Sequence, residues 1–175
     1  MNKARNVTKV GICVAMLIGA QLALGGVWGI EIVSVLLLSF SFVLGISASL
    51  AIATTFSLLR CLIFGSYINV IILYLIYYNL FALYFACLGK RFAFKVRGKQ
   101  LIITIVSAII FTACFTLLDD IITPLFYGFT KSAAIAYFYA SLYTMLTQTI
   151  CVGISVAILF PPLTLILLKI QHFKN

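Results

Sequence analysis

Two adjacent carboxylates, Asp119 and Asp120, close a long apolar run and precede Pro124, Tyr127 and Gly128. The chain has three acidic residues, so this pair holds two of them. Charges are costly inside hydrocarbon, and an acidic pair in an apolar chain therefore predicts a functional site. The pattern places the pair at the end of a helix, before a loop. We expect one carboxylate to bind a ligand and the other to hold the loop as a lid.

The remaining polar candidates lie near the ends of the apolar runs, at the same predicted level as the acidic pair. Glu31 opens the second run, and Arg60 lies near the end of the third. In the last run, Ser141, Thr144 and Gln148 recur at helical spacing and predict one polar face. The full predicted ligand-binding set is Trp28, Glu31, Arg60, Asn69, Tyr74, Asp119, Asp120, Tyr127, Tyr137, Ser141 and Thr144.

This set favours a small ligand over catalysis, because an apolar pocket with a few convergent polar groups is typical of small-molecule sites. Carboxylates beside aromatic rings favour a heteroaromatic ligand with amino groups or positive charge. Arg60 would instead bind a carboxylate or a phosphate. Thiamine-like, pyrimidine, pyridoxine-like and purine-like ligands all stay open. If the aromatic residues only form an interfacial belt, the carboxylates are merely solvated.

The composition indicates an integral membrane protein. Hydrophobic residues make up 65% of the 175 positions and charged residues 9%, and the mean hydropathy is +1.25. Soluble domains carry about 25% charged residues. The net charge of +9 does not indicate a nucleic-acid partner, because the basic residues flank apolar runs and are better explained as topology signals.

The pattern predicts an all-α protein, a single domain over 1–175 with six transmembrane helices. Their predicted bounds are about 8–24, 31–45, 46–62, 68–88, 101–118 and 133–168. Cytoplasmic loops collect Lys and Arg, so the basic start of the chain, the five cations of 90–99 and the basic tail place both termini in the cytoplasm. Merging 31–45 with 46–62 would move those five cations outside. Pro161 and Pro162 should kink or break the last helix.

A stripe of small residues runs along the first predicted helix. Gly11, Ala15, Gly19 and Ala23 recur every four residues and share one helix face. Such stripes let a second helix approach closely in lipid. The second helix belongs either to a partner protein or to this same chain.

Four segments give the chain a family resemblance. They read GIEIVSVLLLSFSFVLG (29–45), LLRCLIFG (58–65), NVIILYLIYYN (69–79) and DDIITPLFYGF (119–129). Together with the six-helix pattern, they resemble the substrate-binding S-components of energy-coupling factor (ECF) vitamin transporters. The ligand of this subgroup stays open. The resemblance covers essentially the whole chain and rests on overall pattern rather than on one diagnostic motif.

The resemblance implies a protein without chemistry of its own. It implies a vitamin-like substrate held in the outer half, under the loops that follow helices one, three and five. It also implies docking of the helix-one stripe onto a transmembrane coupling protein, although the family's Ala-x-x-x-Ala pattern has Gly at two places here. The implied partners are this coupling protein, two ATPase subunits and membrane lipid. The implied location is the cell membrane of a Gram-positive bacterium. Neither a catalytic residue nor a metal or cofactor is expected.

The chain has no Gly-x-x-x-x-Gly-Lys-Ser/Thr phosphate loop, so ATP hydrolysis would need separate subunits.

Two classes of function other than transport stay open. An intramembrane hydrolase of the aspartyl type needs two carboxylates that share a proton. Asp119 and Asp120 are adjacent, so on a helix they diverge by about 100° and form a poor pair. The third class is a ligand-free accessory subunit, for which we would expect a collapsed outer half.

Overall fold

The computed structural model describes residues 3–24, 31–65 and 67–172, and the regular structure within these ranges is entirely α-helical. The helices are α1 (Lys3–Leu24), α2 (Ile32–Leu44), α3 (Ile46–Phe64), α4 (Ile68–Arg91), α5 (Lys99–Tyr127) and α6 (Lys131–His172). The prediction of an all-helical protein is therefore confirmed. The bounds differ from the predicted ones mainly in α5 and α6.

Five of the six helices are long and apolar enough to cross a membrane, which indicates a multi-pass membrane protein. The exception is α2, which has 13 residues. At 1.5 Å per residue it is about 20 Å long, short of the roughly 30 Å hydrocarbon core. A sixth full span is therefore not seen in the ranges that the structure describes. The cytoplasmic location of the termini stays a prediction.

The short helix α2 lies at the centre of the bundle. Every residue from Val35 to Val43 is buried, so all faces of the helix are covered. Its neighbours are α1, α3, α4 and α6. A helix that is apolar all round is stable only when it is buried on every side, and the run VLLLSFSFV meets this condition.

Close contacts show which helix ends lie together. A Cβ at Gly89, near the end of α4, would overlap the carbonyl oxygen of Phe42, near the end of α2. The Gln171 side chain, at the end of α6, donates a hydrogen bond to the Val43 carbonyl at 3.3 Å. The ends of α2, α4 and α6 therefore meet at one end of the bundle. We call it the basic end, because the five cations of 90–99 lie between the last turn of α4 and the start of α5.

One predicted helix end is wrong, and so is the predicted break at Pro161 and Pro162. Helix α5 does not stop at the acidic pair but continues through Pro124 to Tyr127, and Gly128 ends it in the left-handed conformation. Helix α6 continues through Pro161 and Pro162 without a break. Prolines are tolerated in membrane helices because neighbouring groups and small local adjustments satisfy the carbonyls they free. Proline alone was therefore a misleading stop signal in this apolar chain.

The approach of Gly89 to Phe42 gives a test of the central packing. In Gly89→Ala, the new methyl group meets backbone that cannot rotate away, so α2 or α4 must shift at a cost of about 1–3 kcal/mol. We expect the unfolding temperature of the purified protein in detergent to fall by a few degrees. The control is Gly11→Ala, where a Cβ meets nothing within 4 Å. This control should be neutral or slightly stabilising, because Ala favours helix. Equal unfolding temperatures for the two variants would contradict the packing.

Candidate functional site

A cavity of about 350 Å³ lies beside the first turn of α2, and residues from all six helices line it. Glu31 and Ser34 of α2 contribute to this cavity, as do Arg60 of α3 and Gln148 of α6.

Glu31 places a carboxylate in the cavity wall, immediately before α2. Its Oε2 accepts a hydrogen bond from Ser34 Oγ at 3.0 Å. Burial raises the pKa of the Glu31 carboxyl, while the Ser34 hydrogen bond and the charge of Arg60 oppose this rise. The carboxylate is thus desolvated and only partly compensated, and an N–H donor or a cation in the cavity would stabilise its charged form.

Arg60 supplies the opposite charge. Its guanidinium carbon lies 3.9 Å from the centre of the Tyr74 ring and 5.7 Å from the centre of the Phe64 ring. This cation–π contact holds the guanidinium in place. The Arg60 Nε is buried and has no hydrogen-bond partner among the described residues. The guanidinium carries further N–H donors, and its residue lines the cavity, so it is suited to binding an acceptor there.

Aromatic rings form the wall contributed by α4 and α5. Tyr74 and Tyr78 stack with 5.3 Å between ring centres and 8° between ring planes. Tyr77 contacts Phe115 of α5 at 4.6 Å between centres. Tyr74, Tyr77 and Tyr78 follow the i, i+3, i+4 spacing of one helix face, which brings all three to the cavity.

Uncharged polar groups complete the lining. Thr112 donates its hydroxyl hydrogen to the Ala108 carbonyl at 3.0 Å, and Thr147 donates to the Tyr143 carbonyl at 2.9 Å. Both hydroxyls therefore present acceptor lone pairs to the cavity. Gln21 of α1 also lines the cavity, and its Oε1 is buried without a partner.

Of the eleven residues predicted to bind ligand, four line this cavity: Glu31, Arg60, Tyr74 and Thr144. Trp28 lies outside the described residues. The other six do not line it and lie in or beside the polar network described next: Asn69, Asp119, Asp120, Tyr127, Tyr137 and Ser141. Their contact with a ligand stays a prediction.

Asp119 is the centre of a polar network between α4, α5 and α6. Its Oδ1 accepts from Thr123 Oγ1 at 2.7 Å, and its Oδ2 accepts from Tyr137 Oη at 2.6 Å. The Thr123 hydroxyl in turn accepts from Asn69 Nδ2 at 3.2 Å. Tyr127 Oη donates to Asn69 Oδ1 at 3.5 Å, a long contact. These bonds tie the start of α4 and the start of α6 to α5.

Asp120 also binds α6, one turn further along that helix. Its Oδ2 accepts from Ser141 Oγ at 2.7 Å, and its Oδ1 is buried without a partner. The expectation that the pair ends α5 and that one member holds a lid is therefore wrong. Both residues lie inside α5, and the connection to α6 is only Gly128–Thr130. The donors that were expected in a loop belong instead to helix side chains.

Besides Cys151 and four aliphatic residues, the lining residues that sequence reasoning did not assign to the site are polar or aromatic: Gln21, Ser34, Tyr77, Tyr78, Thr112, Phe115, Thr147 and Gln148. Two signals were available for part of this set. The tyrosine spacing in the fourth apolar run predicts a shared face, and Gln21 is the single amide in the apolar run 10–24. No sequence pattern predicted Thr147, because whether its side chain faces the cavity depends on how α6 is rotated about its own axis.

Comparison of the chain with protein-family models, with curated proteins and with solved structures found no significant match. The function of this chain is therefore inferred from the geometry of the described residues.

The bond from Tyr137 to Asp119 should contribute to stability rather than to the cavity. Tyr137→Phe removes one donor to a carboxylate, and such a bond contributes about 1.5–3 kcal/mol. We expect the unfolding temperature in detergent to fall by several degrees. Tyr139→Phe is the matched control, because Tyr139 is 69% exposed. In the background of Asp119→Asn, the effect of Tyr137→Phe should shrink. An undiminished effect there would show that Tyr137 does not act through Asp119.

Proposed function

We propose that this chain is the substrate-binding membrane subunit of an ECF-type importer. It captures a vitamin or a related small heteroaromatic nutrient in the cavity beside α2, on the outer side of the cell membrane. The chain performs no chemistry on its substrate, and separate ATPase subunits drive uptake through a shared transmembrane coupling protein.

The observation that carries this proposal is the cavity. Its volume of about 350 Å³ lies in the range of small-molecule sites, and its lining combines aromatic rings with a few convergent polar groups. Two opposite charges, Glu31 and Arg60, are kept beside it in a chain that is 9% charged. Ionisable groups at such positions in a membrane protein are expensive and mark substrate pathways.

The exposed face of α1 supports docking to a partner. Gly11, Ala15, Gly19 and Ala23 are all exposed, and a Cβ at either glycine meets nothing within 4 Å. Helix α1 packs on α2 and α3 through the face that carries Leu17. The described part of this chain therefore does not use the small stripe for its own packing, which favours a partner helix as its occupant.

Neither alternative function gains support from the geometry. Asp119 and Asp120 bind donors on Tyr137 and Ser141, one turn apart on α6, rather than facing one another across a shared proton. A ligand-free accessory subunit would be expected to have a collapsed interior at this position, whereas the cavity is open.

A bulky side chain that fills the cavity should prevent the ligand from binding. The test is mass spectrometry of the small molecules that remain bound to the protein purified in mild detergent. We expect an aromatic nutrient with wild-type protein and its loss in Thr147→Trp, because Thr147 lines the cavity. Leu146→Trp is the control, since Leu146 is 59% exposed on the same helix. Equal retention by both variants would contradict ligand binding in this cavity.

Adding bulk to the α1 stripe should block partner docking without affecting ligand binding. We expect Gly19→Leu to lose co-purification with the coupling protein and its ATPases when all four are expressed together. Small molecules bound to the isolated subunit should be unchanged. Ala157→Leu is the control, because Ala157 is an exposed small residue on α6. Retention of the complex by Gly19→Leu would show that this stripe is not the docking surface.

A further inference from the structure

The charges of the cavity narrow the class of ligand. We propose that the cavity binds a planar-ring molecule that is neutral overall but carries separated charges. Its anionic group accepts hydrogen bonds from Arg60, and its cationic or N–H-bearing group donates to Glu31 and Gln21. This inference rests on the proposed function and specifies its substrate class.

The first observation is the charge balance of the lining. Glu31 and Arg60 are the only ionised acid and base among the residues that line the described cavity, and their charges sum to zero. An occupant with a net charge would leave a buried charge without a counterpart, which is costly. An occupant that is neutral overall, with its own positive and negative groups, matches both residues.

The second observation is that the two charges do not neutralise one another directly. The Glu31 carboxylate accepts from Ser34, and the Arg60 guanidinium stacks on Tyr74. Among the described residues, no hydrogen bond joins Glu31 to Arg60. Each group is therefore able to bind a separate part of the ligand.

The third observation is a pair of buried polar atoms without partners. Arg60 Nε is an unpaired donor, and Gln21 Oε1 is an unpaired acceptor. Both residues line the cavity. Among the described residues these two atoms are unpaired, and a ligand that carries both an acceptor and a donor would pair them.

The other lining residues suit an aromatic ring that joins the anionic group of the ligand to its cationic or N–H-bearing group. Tyr77, Tyr78 and Phe115 offer ring faces and edges against which an aromatic ligand packs. Thr112 and Thr147 present acceptor lone pairs, which suit N–H groups on that ring. A phosphate ester fits poorly, because one arginine would face about two negative charges beside Glu31.

The experiment uses three sets of matched ring compounds on the full-length protein, freed of bound ligand and held in lipid nanodiscs. The dipolar set is 2-, 3- and 4-(aminomethyl)benzoate, the cationic probe is benzylamine, and the anionic set is 2-, 3- and 4-methylbenzoate. Isothermal titration measures each affinity. We expect the best dipolar isomer to bind at least about tenfold more tightly than any probe with one charge.

Two variants that each remove one charge should then change which class of probe binds most tightly. Glu31→Gln keeps the acceptor for Ser34 but removes the negative charge, so the methylbenzoates should become the preferred class. Arg60→Gln should make benzylamine the preferred class. Lys131→Gln, which removes an exposed cation at the start of α6, should leave the wild-type order unchanged.

The outcomes separate this inference from the proposed function. Tighter wild-type binding of benzylamine or of a methylbenzoate overturns the dipolar ligand but leaves a binding subunit in place. Equal weakening of all classes by Glu31→Gln and Arg60→Gln also overturns it, because the charges would then act only on stability. No binding by any class overturns both the dipolar ligand and capture of small aromatic nutrients.

Discussion

The structure depends on the complete burial of one short helix. Because α2 is apolar on every face from Val35 to Val43, it is stable only when other helices surround it. Its last carbonyls must then find partners inside the bundle, since no water reaches them. Ser49 of α3 donates to the Ser41 carbonyl at 3.3 Å and, at the start of its own helix, to the Gly45 carbonyl at 2.7 Å, and Gln171 of α6 donates to the Val43 carbonyl at 3.3 Å. These bonds fix the three helices relative to one another at the basic end.

The cavity lies beside the first turn of this same helix, and polar and aromatic side chains line it. At the basic end of α2, polar side chains donate to backbone carbonyls. Unpaired buried polar atoms do not distinguish the two ends, because among the described residues Ser41 Oγ at the basic end lacks a partner just as Arg60 Nε and Gln21 Oε1 do beside the cavity. The ligand is assigned to the cavity end because of the cavity and its lining.

Composition and periodicity predicted the helical membrane class, the small stripe on α1 and part of the cavity. Glu31 and Arg60 stood out because charges are rare in this chain. The sequence did not predict that Asp119 would bind Tyr137, because that contact depends on the relative rotation of α5 and α6. Pro124 and the acidic pair together were taken for a loop. The apolar side chains around them in fact extend the helix to Tyr127, where Gly128 in the left-handed conformation ends it.

The length of α6 affects how the bundle lies in lipid. Its 42 residues make a helix about 63 Å long, whereas a bilayer with its headgroups is about 40–45 Å thick. Such a hydrophobic mismatch is relieved by a steep tilt, by local thickening of the lipid or by helix ends that project into water. Since α6 packs against both α2 and α5, a tilt of α6 inclines much of the bundle with it. Bilayer thickness is therefore coupled to the orientation of this protein in the membrane.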